Sequence, residues 1–221
     1  VADLKAAGFD AAPHLSMGND EVPAVKQMLD DYAALGINRI VALRGDQPSG
    51  MGTNPFANNA QALVELIRKH SGKQFHLEVA AYPETHPDAK SAAADLDYFK
   101  RKVDAGADSA ITQYFYNVDA FENFLNRCAQ ANITLPIIPG IMPITNLASL
   151  VRFSDKCGAD IPRWLRYVLV DLENDEQGTI DFGVEVMTRV CEQLISLGVP
   201  GLHFYTLNRW GATTRICENL G

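Results

Sequence analysis

With 221 residues, 47% of them apolar and 21% charged, the chain has the composition of a soluble globular protein and the length of one large domain. A formal net charge of −8 argues against nucleic acid or an anionic membrane as the main partner, because an acidic surface repels both. No apolar run approaches the ~18 residues of a membrane span, and no signal-peptide pattern opens the chain. Cys128, Cys157, Cys191 and Cys217 are widely spaced without a C-x-x-C pair, so no zinc site, redox dithiol or other metal centre is expected. Reduced, mostly buried thiols in a cytoplasmic protein are the expectation.

The chain opens on Val1 and a KAAGFD segment that reads as the tail of a helix, as if an earlier part were missing. The first apolar run, AAPHLS (11–16), predicts a strand. Asn19, Asp20 and Pro23 then mark a helix start, and Val22, Val25, Met28, Leu29, Tyr32 and Leu35 make one apolar stripe closed by Gly36. NRIVALR (38–44) is the second strand, and Asn54 with Pro55 opens a helix with Leu63, Leu66 and Ile67 inward and Gly72 at its end. After HLEVAAY (76–82), a helix is expected from about Pro87 to Ala105, with Leu96, Phe99 and Val103 inward. SAITQYFY (109–116) is followed by a helix capped by Asn117, whose inner face is Phe121, Phe124, Leu125 and Cys128. LPIIPGI (135–141) leads into a longer connection, with a helix near 146–154, the apolar stretch IPRWLRYVLVD and a helix over about 176–197. GLHFYTL (201–207) is the last strand, and a short helix follows Arg209.

Strands alternating with helices imply parallel pairing through right-handed crossovers, in an open doubly wound sheet or a barrel. No G-x-G-x-x-G follows any strand, and polar residues sit at the C-terminal end of nearly every strand, so the barrel is favoured. Six β/α units are visible where a (β/α)8 TIM barrel has eight. The reading is a single partial barrel domain over residues 1–221 that lacks its first two units and contains strands three to eight. Pro139 fits poorly in a central strand and is read as the point where regular pairing ends.

The strand ends carry the chemistry. His14 ends the first run and is as often a core or loop residue as a functional one. In VALRGDQPSG (41–50) a buried strand delivers Arg44, Gly45 and Asp46 without a spacer. A guanidinium fork suits phosphate or carboxylate, glycine lets backbone approach a ligand, and a carboxylate holds a cation or donor; a self-satisfied salt bridge is the alternative. Tyr82, Glu84, His86 and Lys90 lie around two prolines that stiffen a turn suited to a planar ligand or to a solvated face. Asp95, Tyr98, Arg101 and Lys102 share a helical stripe that holds an anion or simply faces water. Gln113 can donate and accept at once, as a heterocycle edge requires, and Tyr205, Asn208 and Arg209 follow the last strand, Arg209 suiting a carboxylate.

Taken together, APHL (12–15), VALRGD (41–46), VAAYPETHPDAKS (79–91), DLDYFKRKVDAGAD (95–108), ITQYFYNVDAF (111–121), IIPGIMPITN (137–146) and HFYTLNR (203–209) resemble the FAD-containing catalytic barrel of the methylenetetrahydrofolate reductases. The blocks run in unbroken order along essentially the whole chain. The resemblance implies a cytoplasmic oxidoreductase of one-carbon metabolism and methionine supply. NADH or NADPH reduces bound FAD, and the flavin then reduces 5,10-methylenetetrahydrofolate to 5-methyltetrahydrofolate. It implies FAD contacts at His14, Arg44, Gly45, Asp46, Ala57, Tyr82, His86, Ala89, Asp95, Tyr98, Arg101 and Lys102. It implies catalytic roles for Asp46 and Gln113, and folate contacts at Asp46, Gln113 and Arg209. Short relatives more usually take NADH, and family precedent points to a homo-oligomer. Phe56 stands where the family commonly has Tyr, Tyr98 where it often has Asn, and Ser149 where some members carry Gln. The family's general acid, a Glu on the first barrel strand in a block resembling E-F-F-P-P, has no counterpart in the chain, and Glu84 does not replace it by motif. That absence puts the activity of the 221 residues alone in question. Competing readings are another barrel aldolase or lyase, for which no strand-end Lys or Gly-rich phosphate loop is present, and an inactive barrel remnant.

Overall fold

The structure is a computed structural model and describes residues 1–17, 21–44 and 59–221. Asn19, Asp20, Gly45, Asp46, Asn54, Pro55, Phe56 and Ala57 lie outside the described residues, so the expectations placed on them are not addressed by it. In chain order the elements are α1 (Ala2–Ala6), β1 (His14–Leu15), α2 (Val22–Ala34), β2 (Arg39–Ala42), α3 (Ala60–Ser71), β3 (His76–Ala81), α4 (Ala92–Asp104) and β4 (Ser109–Tyr114). They continue as α5 (Val118–Gln130), β5 (Ile137–Ile141), α6 (Leu147–Cys157), α7 (Arg163–Asp171), α8 (Glu176–Ser196), β6 (His203–Phe204) and α9 (Gly211–Leu220). The strands follow one another in the sheet in chain order, and β1–β2, β2–β3 and β5–β6 pair in parallel. The chain is therefore an α/β protein with helices between successive strands, as the alternating pattern predicts.

Two compact units divide the chain: Val1–Ala80 with Asp97–Ala110, and Ala81–Leu96 with Ile111–Gly221. In the first unit, Ile40, Ala42, Leu77 and Val79 bring buried apolar side chains from β2 and β3 to the core. Val25 and Leu29 of α2, and Leu63, Val64 and Ile67 of α3, cover it at helical spacing. Leu35, expected on the inward stripe, is 43% exposed because it is the C-cap of α2, where the helix ends before Gly36 at φ 70°. Arg68 closes the end of α3. Its Nε donates to the Gly106 carbonyl at 2.8 Å, Nη1 donates to the Phe75 carbonyl at 2.8 Å, and Nη2 pairs with Asp108 at 2.5 Å. Buried Glu78 is neutralised by Arg39 at 2.9 Å and accepts from Ser109 at 3.2 Å, which satisfies a carboxylate that could not otherwise be buried.

In the second unit, Asn117 caps α5 as expected, accepting from the Asp119 backbone at 3.0 Å. Phe121, Phe124 and Cys128 are buried, and the Phe121 ring stacks on Phe115 with centroids 5.1 Å apart. The helix expected from Pro87 begins instead at Ala92. The Ser91 hydroxyl accepts from the Ala94 N–H at 3.2 Å, and residues 83–91 form turns. The apolar stretch IPRWLRYVLVD becomes α7, entered through Pro162 and held by Leu165 and Leu169 one turn apart. Pro139 does not end the pairing. It lies inside β5, whose register continues with Gly140 opposite His203 and Ile141 opposite Phe204. Its pairing with β6 starts at the next residue, and the Gly140 N–H donates to the Thr112 hydroxyl at 2.9 Å. Gly183 lets α8 approach closely, since a Cβ there would lie 2.2 Å from the Ile144 carbonyl oxygen. No helix among the described residues is long and apolar enough to cross a membrane.

Candidate functional site

The predicted site residues fall into two groups, one in each unit. In the first unit His14 is exposed on β1, in register with Val41 of β2, and Arg44 follows β2 as an exposed residue. Tyr98 and Arg101 lie on the part of α4 that belongs to this unit. The Tyr98 hydroxyl donates to Asn59 Oδ1 at 3.3 Å, where Asn59 also caps α3 by accepting from the Gln61 N–H. Burial pushes the Tyr98 phenol up, while a bond from the Ala60 backbone and the charges of Arg44 and Arg101 pull it down. Arg101 pairs with Asp97 at 3.2 Å and lies over the Tyr98 ring, 5.5 Å from its centroid. Lys102 is buried, with its ammonium donating to the Ala80 carbonyl and lying over the Tyr98 and Phe99 rings. Its charge is thus spent largely within the unit, whereas Arg44 and Arg101 are exposed residues whose charges both lower the Tyr98 phenol.

The second unit frames an aromatic corner. The Tyr82 and His86 rings meet edge to face with centroids 4.5 Å apart. Asp95, in the first turn of α4, accepts from the His86 backbone at 2.9 Å, and Ala89 donates to the His86 carbonyl at 2.9 Å. His86 Nδ1 accepts from the Asp88 N–H at 3.0 Å, which leaves the ring proton of a neutral imidazole on Nε2. These bonds hold the turn that the two prolines begin. Gln113, near the end of β4, has its Oε1 committed to the Tyr114 N–H at 3.0 Å, so its Nε2 is the group that can donate to a ligand. Arg209 is exposed and forms no ion pair among the described residues, so the helix salt bridge that would explain it structurally is not made there.

Three features of this unit were not anticipated. Glu84 is half-buried, and burial raises its pKa against the opposing bond from the Asp160 N–H at 2.8 Å; the Asp160 carboxylate raises it further. Tyr114 and Tyr116 are buried nearby. Burial pushes the Tyr114 hydroxyl up to about 12, and the Tyr116 hydroxyl has no hydrogen-bond partner among the described residues. Tyr205 sends its hydroxyl to the Thr112 carbonyl at 2.9 Å, across 93 positions of sequence. A tyrosine after a strand and a threonine before a glutamine were the only local signals for that bond.

The family profile and the sequence relatives point to one family. The methylenetetrahydrofolate reductase family profile matches residues 3–221. The 5,10-methylenetetrahydrofolate reductase of Salmonella typhimurium is 42% identical over 214 residues, covering 97% of this chain and 71% of that protein. Its Escherichia coli counterpart is 41% identical over the same share of each chain. Methylenetetrahydrofolate reductase (NADH) 1 of Zea mays is 38% identical over 221 residues, covering 94% of this chain and 37% of the longer plant protein. Among solved structures, a Clostridium thermocellum protein described as binding two copies of 5-methyl-5,6,7,8-tetrahydrofolic acid aligns with a TM-score of 0.53 at 15% identity. That alignment covers 98% of this chain and 96% of the other, and at such identity it speaks for the fold alone. The profile match along nearly the whole length, with relatives above 40% identity, shows that this chain belongs to the methylenetetrahydrofolate reductase family.

Proposed function

We propose that the chain carries the flavin-dependent reduction of 5,10-methylenetetrahydrofolate to 5-methyltetrahydrofolate, with NADH or NADPH as hydride donor, on consecutive strands of a (β/α)8 barrel. Family membership over residues 3–221 carries this reading. The strand order supports the barrel, because β1 to β6 follow one another without reversal, as barrel strands do.

FAD fits the donor set of the first unit. Arg44 and Arg101 are both exposed, and both lower the Tyr98 phenol, which supports them as the cations of this unit for a pyrophosphate. In the second unit the Tyr82 and His86 rings, braced by Asp95, offer a flat edge for a planar ring system. When bound, FAD supplies the two-electron step between nicotinamide and folate. Gln113 donates through Nε2 to the edge of the ring system, nicotinamide or pterin, that occupies the face. Arg209 takes the glutamate carboxylate of folate. Asp46 stabilises positive charge as the imidazolidine ring opens.

The test is spectroscopic. The purified chain should show the visible absorption of bound flavin, bleach on anaerobic addition of NADH and regain colour with methylenetetrahydrofolate. Colourless protein that neither takes up added FAD nor oxidises NADH or NADPH would overturn the proposal.

A further inference from the structure

We infer that Tyr205 is a positioning residue that ties the strand carrying Gln113 to the turn carrying Arg209, and so sets the spacing of the two groups proposed to hold folate. The inference rests on the proposed function, but its geometry lies wholly within one compact unit.

Arg209 closes a tight turn by donating its N–H to the Thr206 carbonyl at 2.8 Å. Both central residues, Leu207 at φ 48° and Asn208 at φ 60°, are left-handed. That is the backbone of a type I′ turn, which glycine or asparagine accepts readily and leucine resists. A strained turn persists only where its surroundings hold it. The residue at its base does so from two directions: the Tyr205 N–H donates to the Ile141 carbonyl at 2.8 Å, and its hydroxyl donates to the Thr112 carbonyl at 2.9 Å. Thr112 immediately precedes Gln113.

The ring is not free to swing away. A Cβ on Gly140 would stand 2.6 Å from the edge of the Tyr205 ring, so the ring already lies against bare backbone. His203 packs on it edge to face with centroids 4.8 Å apart, and Tyr114 at 6.4 Å. Packing alone would be met by phenylalanine. A hydroxyl held in a half-buried site is worth carrying only where its bond fixes something, and this one fixes the distance between two strand ends. Burial also pushes the phenol well above its ordinary range, so it remains a donor at every working pH.

The experiment compares Tyr205→Phe with Tyr114→Phe in the full chain, by steady-state kinetics and by the two half-reactions measured separately. Tyr114→Phe also deletes a buried hydroxyl bond, to Ser154 at 3.2 Å, without joining the two strand ends. Tyr205→Phe should raise KM for methylenetetrahydrofolate roughly three- to tenfold, the worth of one neutral hydrogen bond. Flavin reduction by NADH should keep its rate, and kcat should fall less than KM rises. Tyr114→Phe should leave the folate KM unchanged. An unchanged folate KM in Tyr205→Phe, or a loss of melting temperature and of both half-reactions in equal measure, would overturn the inference. A wild-type chain that takes up no FAD and oxidises neither NADH nor NADPH would overturn the functional reading itself, and that result is visible before any variant is made.

Discussion

Gly140→Ala tests a close backbone approach in the second unit. An ideal Cβ at this position stands 2.2 Å from the Thr112 carbonyl oxygen and 2.6 Å from Cε2 of Tyr205. Ordinary van der Waals contact would require each of them to retreat by about 1 Å, and neither is a flexible tip. The carbonyl already accepts the Tyr205 hydroxyl, and the ring is wedged by His203. Overpacking of this kind costs about 3 kcal/mol, at the top of the usual range because one obstacle is backbone. Replacing glycine also stiffens the unfolded chain, which returns up to about 1 kcal/mol, so the net loss is about 2 kcal/mol. For a chain of this length that lowers the melting temperature by about 4–8 °C. Thermal unfolding followed by far-UV circular dichroism measures it, with Gly201→Ala as the control, since a Cβ there meets nothing within 4 Å. A Gly140→Ala protein that melts within about 1 °C of wild type would refute the reasoning, because no close approach of this kind could then exist.

Gly183→Ala should destabilise by a similar mechanism, since its Cβ would lie 2.2 Å from the Ile144 carbonyl oxygen; urea unfolding reads the shift in midpoint. Arg68→Lys should cost about 2 kcal/mol. An ammonium cannot serve the Gly106 and Phe75 carbonyls and Asp108 at once, and the same unfolding assay would contradict this if the variant matched wild type. Glu84 is raised in the folded state, so its contribution to stability is fully present below its unfolded pKa and is lost as pH rises through the higher folded value. Glu84→Gln, which keeps an acceptor for the Asp160 N–H, should therefore gain in melting temperature relative to wild type between pH 4 and pH 7; a difference that is flat or falls across that window would disprove the assignment.

The order of elements was readable because it depends on short-range signals. Asn117 before Asp119, Gly36 and Gly72 at left-handed φ after α2 and α3, and the apolar spacing of Phe121, Phe124 and Cys128 all act within one or two turns. The departures share a different origin. Pro87 looks like a helix start in isolation, but the capping atom is the Ser91 hydroxyl, and the turn before it is stabilised by Asp95 reaching back to His86. IPRWLRYVLVD reads as an undifferentiated apolar run because Trp164, Tyr167, Val168 and Val170 remain exposed, which blurs the helical stripe of Leu165 and Leu169. Pro139 is disfavoured in a strand by the loss of its own N–H, yet β5 runs through it and pairs with β6 from the next residue on.

The same distinction applies to the site. Residue types at strand ends pointed to His14, Arg44, Tyr82, Gln113 and Arg209, because charge and hydrogen-bonding capacity at such positions are visible in the chain itself. What each group is committed to was not visible. Lys102 and Arg101 are neighbours on one helix and looked equivalent as phosphate ligands, yet one is buried against the Ala80 carbonyl and the other keeps an exposed guanidinium. Tyr98 and Asn59, 39 positions apart, share a hydrogen bond that makes the tyrosine a brace for the start of α3. Tyr205 and Thr112 are farther apart still. A strand-end side chain can hold a ligand only with the valence that its packing leaves unspent, so in this fold the long-range bonds select which of the legible candidates remain available for chemistry.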